Sequence, residues 1–132
     1  MNGSNFRSQL RTNVPGDTRI SGRFDHAGVV LEGKKFTVVT AVSGVHTILF
    51  GTSATDLTPV KGLVAAHAIC VVATPSNTAV QSVVVKTITT NASGAVTGAV
   101  LVTTTAAGVP TALATNDMVC FEFTVRDTDV LV

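Results

Sequence analysis

From residue 62 to residue 116 the chain carries a single formally charged side chain, Lys86. Exposed sheet edges are normally guarded by charge or proline, so a region this neutral invites strand or face pairing with neighbouring molecules. A symmetric oligomer removes that liability. The residue types push the same way: 23 Val and 21 Thr make a third of the 132 residues, Trp and Tyr are absent, and Phe is the only aromatic. β-Branched side chains suit the pleated surface of a sheet. Charged residues are 13% of the chain, about half of the roughly 25% usual in a soluble domain, and mean hydropathy is positive at +0.47. That apolar surface needs a cover. No window approaches the roughly 20 consecutive apolar residues of a membrane-spanning helix, because Thr, Ser, Asn, Gly or Pro interrupts every run. Near the N-terminus, Arg7, Arg11, Arg19 and Arg23 are spread through polar residues without the apolar core of a secretory signal. Neither a membrane span nor a signal is expected, and burial between subunits is the better cover.

A chain of 132 residues fits one domain. Residues 1–18 read as an N-terminal arm and residues 19–132 as a single β domain. The arm is polar, lacks period-2 alternation and ends in the turn signal Val14-Pro15-Gly16-Asp17. Within it Phe6 and Leu10 are spaced i,i+4, as are Arg7 and Arg11, so a short helix from Ser4 or Asn5 sets an apolar pair beside a basic pair. So short a helix needs a docking surface. From Arg19 onward, β-type runs alternate with turn clusters, which predicts an all-β fold: an antiparallel β-sandwich or a jelly-roll-like barrel. Strands are expected near 19–24, 28–32, 35–42, 45–50, 65–74, 80–90, 95–105 and 118–125. Ser43-Gly44 and Asn91-Ala92-Ser93-Gly94 signal hairpins, and Gly51 to Gly62 reads as the longest loop. Alternation is clearest in the last strand, where Val119, Phe121, Phe123 and Val125 share one face and belong to the core.

Chemistry is hard to find. His26, His46 and His67 are isolated from one another, with no grouping that presents two ligands to one metal. His67 shares a strand face with Ile69 and Val71, the setting of a hydrogen-bonded core or interface histidine, and His26 follows Asp25 in a turn. Cys70 and Cys120 lie in apolar runs without C-x-x-C spacing and read as buried free thiols, an interstrand disulfide remaining the alternative. There is no G-x-S-x-G elbow, and no spacing selects a pair among the eight carboxylates. The sequence therefore predicts no catalytic residue, no metal and no cofactor. The first 35 residues hold six bases, namely Arg7, Arg11, Arg19, Arg23, Lys34 and Lys35, against Asp17, Asp25 and Glu32. Without Tyr, Trp or an aromatic-basic interleave, base stacking is unsupported, and a net charge of +1 leaves no strong electrostatic footprint. Direct nucleic-acid binding is not expected. Residues 117–132 carry four acids against Arg126, a contrast between the two ends that can orient subunits or partners. Phe6, Arg7, Leu10, Arg11, Arg19 and Arg23 are the candidate partner-binding residues.

A short polar arm, a Thr/Val/Ala/Gly-rich β body without Trp or Tyr, the segment Ala112-Leu113-Ala114-Thr115-Asn116-Asp117-Met118-Val119 and an alternating final strand together resemble small accessory virion proteins of tailed bacteriophages. These are the capsid decoration or cement proteins and the related β domains of head and tail fibres. The resemblance implies a virion structural protein, assembled in the host cytoplasm. It would act as a homotrimer that bridges and stabilises the lattice of the major capsid protein or another virion protein. A head- or tail-fibre component or receptor-binding module is the alternative, and a carbohydrate-binding β domain the second; lacking Trp and Tyr, the latter would have to use Phe as its sugar platform.

Overall fold

The computed structural model describes residues 17–53, 55–74, 76 and 79–126. Eight antiparallel strands run through them, with no helix: β1 (Asp17–Asp25), β2 (Val30–Gly33), β3 (Phe36–Val42), β4 (Val45–Phe50), β5 (Gly62–Val71), β6 (Ser82–Thr90), β7 (Val96–Thr104) and β8 (Met118–Arg126). They form two four-stranded sheets, ordered β2-β1-β8-β5 in sheet A and β3-β4-β7-β6 in sheet B. This is the sandwich alternative; no closed barrel forms. Each expected strand is present. β1 starts at Asp17, so Asp17 and Thr18 belong to the sheet and not to the arm, and the rest of the expected arm lies outside the described residues.

Turn chemistry placed two hairpins correctly. Gly44 takes a left-handed φ of 77° between β3 and β4, and a Cβ there would sit 2.7 Å from the Thr111 carbonyl oxygen, so the site excludes other residues twice over. In the β6–β7 turn, Asn91 Oδ1 accepts bonds from the Ser93 and Ala95 amides at 3.0 and 3.1 Å, an Asx turn that replaces lost ladder bonds. The longest connection, however, is 105–117 and not 51–61. It is pinned from within: Asp117, 1% exposed, accepts the Ala73 amide at 2.9 Å and the Ala114 amide at 3.1 Å, tying the β5–β6 connection to the start of β8.

The core lies between the sheets. β8 is central in sheet A and buries Val119, Phe121, Phe123 and Val125. Against them sheet B presents Phe36, Ile48, Phe50, Ala99 and Leu101. The rings form a continuous edge-and-tilt series across both sheets: Phe36 meets Phe121 at 4.8 Å, Phe121 meets Phe123 at 5.0 Å, and Phe123 meets Phe50 at 5.9 Å between centroids. Such geometry adds dispersion and quadrupole attraction to the burial of area.

His46 extends that series, its ring 5.1 Å from Phe24 and 1% exposed. Its Nδ1 lies 3.0 Å from Thr40 Oγ1 and its Nε2 3.5 Å from Thr103 Oγ1, while Thr103 donates to the Thr111 carbonyl at 2.6 Å. The Thr103 hydroxyl proton being spent on that carbonyl, its oxygen is left to accept from Nε2–H, and Thr40 donates to Nδ1. That pattern suits a neutral imidazole. Burial pushes the His46 pKa below its ordinary value, so the unfolded chain binds a proton more readily than the folded one. Stability from this residue is complete above about pH 6.5, falls as pH drops from there through the lowered folded pKa, and then levels off. Urea denaturation at a series of pH values should show that loss in the native protein and a flatter profile in His46→Gln; parallel profiles in the two would remove His46 as its source.

Candidate interaction surface

Directly paired residues in antiparallel strands share a face, so the register fixes what each outer surface displays. On sheet A one row runs Glu32, Arg23, Cys120, Ile69 across β2, β1, β8 and β5, and another runs Ser21, Glu122, His67 across β1, β8 and β5. Arg19 Nε lies 3.5 Å from Glu122 Oε1, and Arg23 Nη2 donates to Glu32 Oε1 at 2.7 Å. Both pairs are partly or largely exposed, so each contributes about 0 to 1 kcal/mol. They pattern the surface more than they stabilise it.

The two described candidate residues, Arg19 and Arg23, thus share a face but are matched by acids of neighbouring strands. The sequence reading missed Glu32 and Glu122 as their partners, because only the pairing order brings 23 next to 32 and 19 near 122. The other candidates, Phe6, Arg7, Leu10 and Arg11, lie outside the described residues. His67 is not a core histidine: it is exposed on the outer face beside Ile69 and Val71, which are 48% and 41% exposed. His26 accepts the Asn116 amide on Nδ1 at 3.3 Å. In the row Ser21-Glu122-His67 the carboxylate stands between hydroxyl and imidazole, the wrong order for a base that must touch its nucleophile.

Cys70 and Cys120 are free thiols, each half-buried. Cys70 pairs with Val119 and Cys120 with Ile69, so one thiol points inward and the other outward. Alternation therefore rules out the interstrand disulfide in this register. Burial, then Asp117 and Cys120, push the Cys70 thiol pKa upward, away from thiolate reactivity. Among the described residues no three His, Cys, Asp or Glu side chains converge on a metal position. A cleft of about 430 Å³ opens beside Ile20, Phe50, Pro59 and Val60, with Lys35 the one titratable side chain lining it among the described residues; such a cleft offers no acid–base pair.

Sheet B is chemically different. Pairing places Thr37 and Val39 of β3 beside Leu49 and Thr47 of β4, and Val45 and Thr47 beside Val102 and Val100 of β7. Val84 and Thr87 of β6 continue the same face. None of these paired positions is ionisable, but the exposed Lys86 stands at the bulge between Val84 and Thr87 and puts a charge at the β6 edge. Val39, Val42 and Val84 are 41%, 62% and 42% exposed, where sheet A displays Arg19, Arg23, Glu32 and Glu122. No family model, known protein or solved structure matched the chain in comparison.

Proposed function

We propose that this chain is a virion structural protein, a capsid decoration or cement protein that acts as an oligomer on the lattice of the major capsid protein. One observation carries the reading: the sandwich divides its outer surface into a face bearing two ion pairs and a face mostly of Val, Thr and Leu, whose charge is confined to Lys86 at the β6 edge among the described residues. Such a division suits a molecule held on two sides by different neighbours, charge setting orientation on one side and apolar area supplying contact on the other. The phage-like composition and arm supply the class of assembly. Copy number tests it. Mass measurement of particles is expected to give scores to hundreds of copies; a handful would favour the fibre reading and overturn decoration.

The arm supplies the capsid contact in this proposal. Deleting residues 1–16 removes nothing from the described core, so the β body is expected to fold, while co-sedimentation with undecorated capsids should be abolished or sharply weakened. Arg7→Glu with Arg11→Glu should weaken attachment in part, and more visibly at low salt, because exposed charges are screened beyond about 8 Å at 0.15 M. Full occupancy by the truncated protein would move the contact to the β body.

A further inference from the structure

The cleft of about 430 Å³ lies where β8 leaves sheet A. In the register Val125 pairs with Thr18, and Arg126 pairs with Asp17 on one side and Gly62 on the other. The Arg126 carbonyl also accepts the Lys61 amide at 2.7 Å. Thr18 and Val60, next in the chain to Asp17 and Lys61, both line the cleft. Residue 127 therefore sets out beside the walls of the cleft. Its floor is made by Ile20 of sheet A, Phe50 of sheet B and Val60, all members of the core, so this is a mouth between the two sheets where the core comes close to solvent. Lys35 stands at that mouth, on the sheet B side.

From this we infer that the cleft is a docking site for residues 127–132 of the same chain, the apolar Val130, Leu131 and Val132 seated on Ile20, Phe50 and Val60 and an aspartate meeting Lys35. The segment lies outside the described residues and reads Asp-Thr-Asp-Val-Leu-Val, two acids followed by three apolar residues, the complement of an apolar floor with a cation at its rim. Reach is sufficient. Six extended residues span about 20 Å, whereas neighbouring strands are about 4.8 Å and packed sheets about 10 Å apart. The other segment joined beside the cleft, residues 1–16, is excluded by charge: it holds Arg7 and Arg11 and no acid, while the cleft presents Lys35, and Lys34 and Lys61 adjoin its lining residues in the chain. Asp17 does not offset them, since alternation from Thr18 turns it to the outer face beside Arg126. Opposite charges attract and like charges repel at such range, so the acidic segment is the one that fits. Asp127 and Asp129 are then held within their own molecule and are not free to match the basic arm of a neighbouring copy.

The inference does not depend on the capsid target, and it is tested on purified full-length protein by methyl nuclear Overhauser spectroscopy. Contacts are expected from the Val130, Leu131 and Val132 methyls to Ile20, Val60 and the Phe50 ring. In an equal mixture of carbon-13-labelled and unlabelled protein they should stay within labelled molecules. Leu131→Asp should abolish them and shift the Ile20 and Val60 methyl signals, with an unchanged far-UV circular dichroism spectrum because the described core ends before residue 127. Lys35→Glu should move those signals part-way in the same direction. Val109→Asp, at an exposed loop position, should leave them in place. Absence of the contacts in the native protein, contacts from Phe6 or Leu10 in their stead, or contacts only between labelled and unlabelled molecules would overturn the proposal. The last two results would give the cleft to the arm or to the tail of a second copy. Failure of capsid co-sedimentation with the contacts intact would instead overturn decoration alone.

Discussion

Phe123→Ala is expected to cost about 3 to 5 kcal/mol of folding stability, the range for deleting a fully buried aromatic ring. The ring is 0% exposed on β8, between β1 and β5, and stands within 5.0 Å of Phe121 and 5.9 Å of Phe50 between centroids. It joins the two sheets through Phe50, so its loss leaves a cavity at the middle of the interface between them. Neighbouring rings are held by their own strands and relax only partly into such a space. Chemical denaturation measures the effect, with Ile69→Ala as comparison: Ile69 lies on an outer face at 48% exposure and should change stability by far less. Equal effects of the two substitutions would mean that the inward face of sheet A has been misassigned.

That inward face was legible in the sequence because alternation is a local property. Val119, Phe121, Phe123 and Val125 recur every second residue with Glu122 between them, and only one face of such a strand can be the core. The same reasoning located all eight strands, and the Ser43-Gly44 and Asn91–Gly94 turns fixed two neighbour relations. What remained hidden was everything decided by pairing across the sandwich. His46 and His67 illustrate the limit, since both alternate with large apolar residues in the sequence. His46 sits on central strand β4 with Ile48 and Phe50 pointing inward; His67 sits on edge strand β5, where Ala66, Ala68 and Cys70 take the inner positions opposite Phe123, Phe121 and Val119. Small residues fit beneath those rings, so the larger Ile69 and Val71 face outward, against the usual expectation that size marks the core. The candidate surface was hidden for the same reason. The near-neutrality of residues 62–116 was visible, but β3 and β4, which supply half of the sparsely charged face, lie outside that stretch and are brought to it only by the order β3-β4-β7-β6.

Gly98→Ala should destabilise the fold at or above the upper end of the about 1 to 3 kcal/mol typical of overpacking, although it adds one methyl group. Gly98 pairs with Leu49 in the uninterrupted β4–β7 ladder, and a Cβ built there overlaps the carbonyl oxygen of Ile48 and lies 2.9 Å from its carbonyl carbon. The obstacle is backbone, so no rotamer change can relieve it. Relief requires β4 to move away from β7, yet β4 carries Ile48, Phe50 and His46, each 1% exposed or less, and its displacement would open the core and break the Thr40–His46–Thr103 bonds together. Gly62→Ala is the matched control, for nothing lies within 4 Å of a Cβ at that strand position; it should be neutral or slightly stabilising, since alanine narrows the unfolded ensemble. Thermal melting followed by far-UV circular dichroism distinguishes the two. If Gly98→Ala melts with Gly62→Ala and the native protein, β4 and β7 do not approach as closely as this register requires, and the sparsely charged face built on their pairing would have to be redrawn.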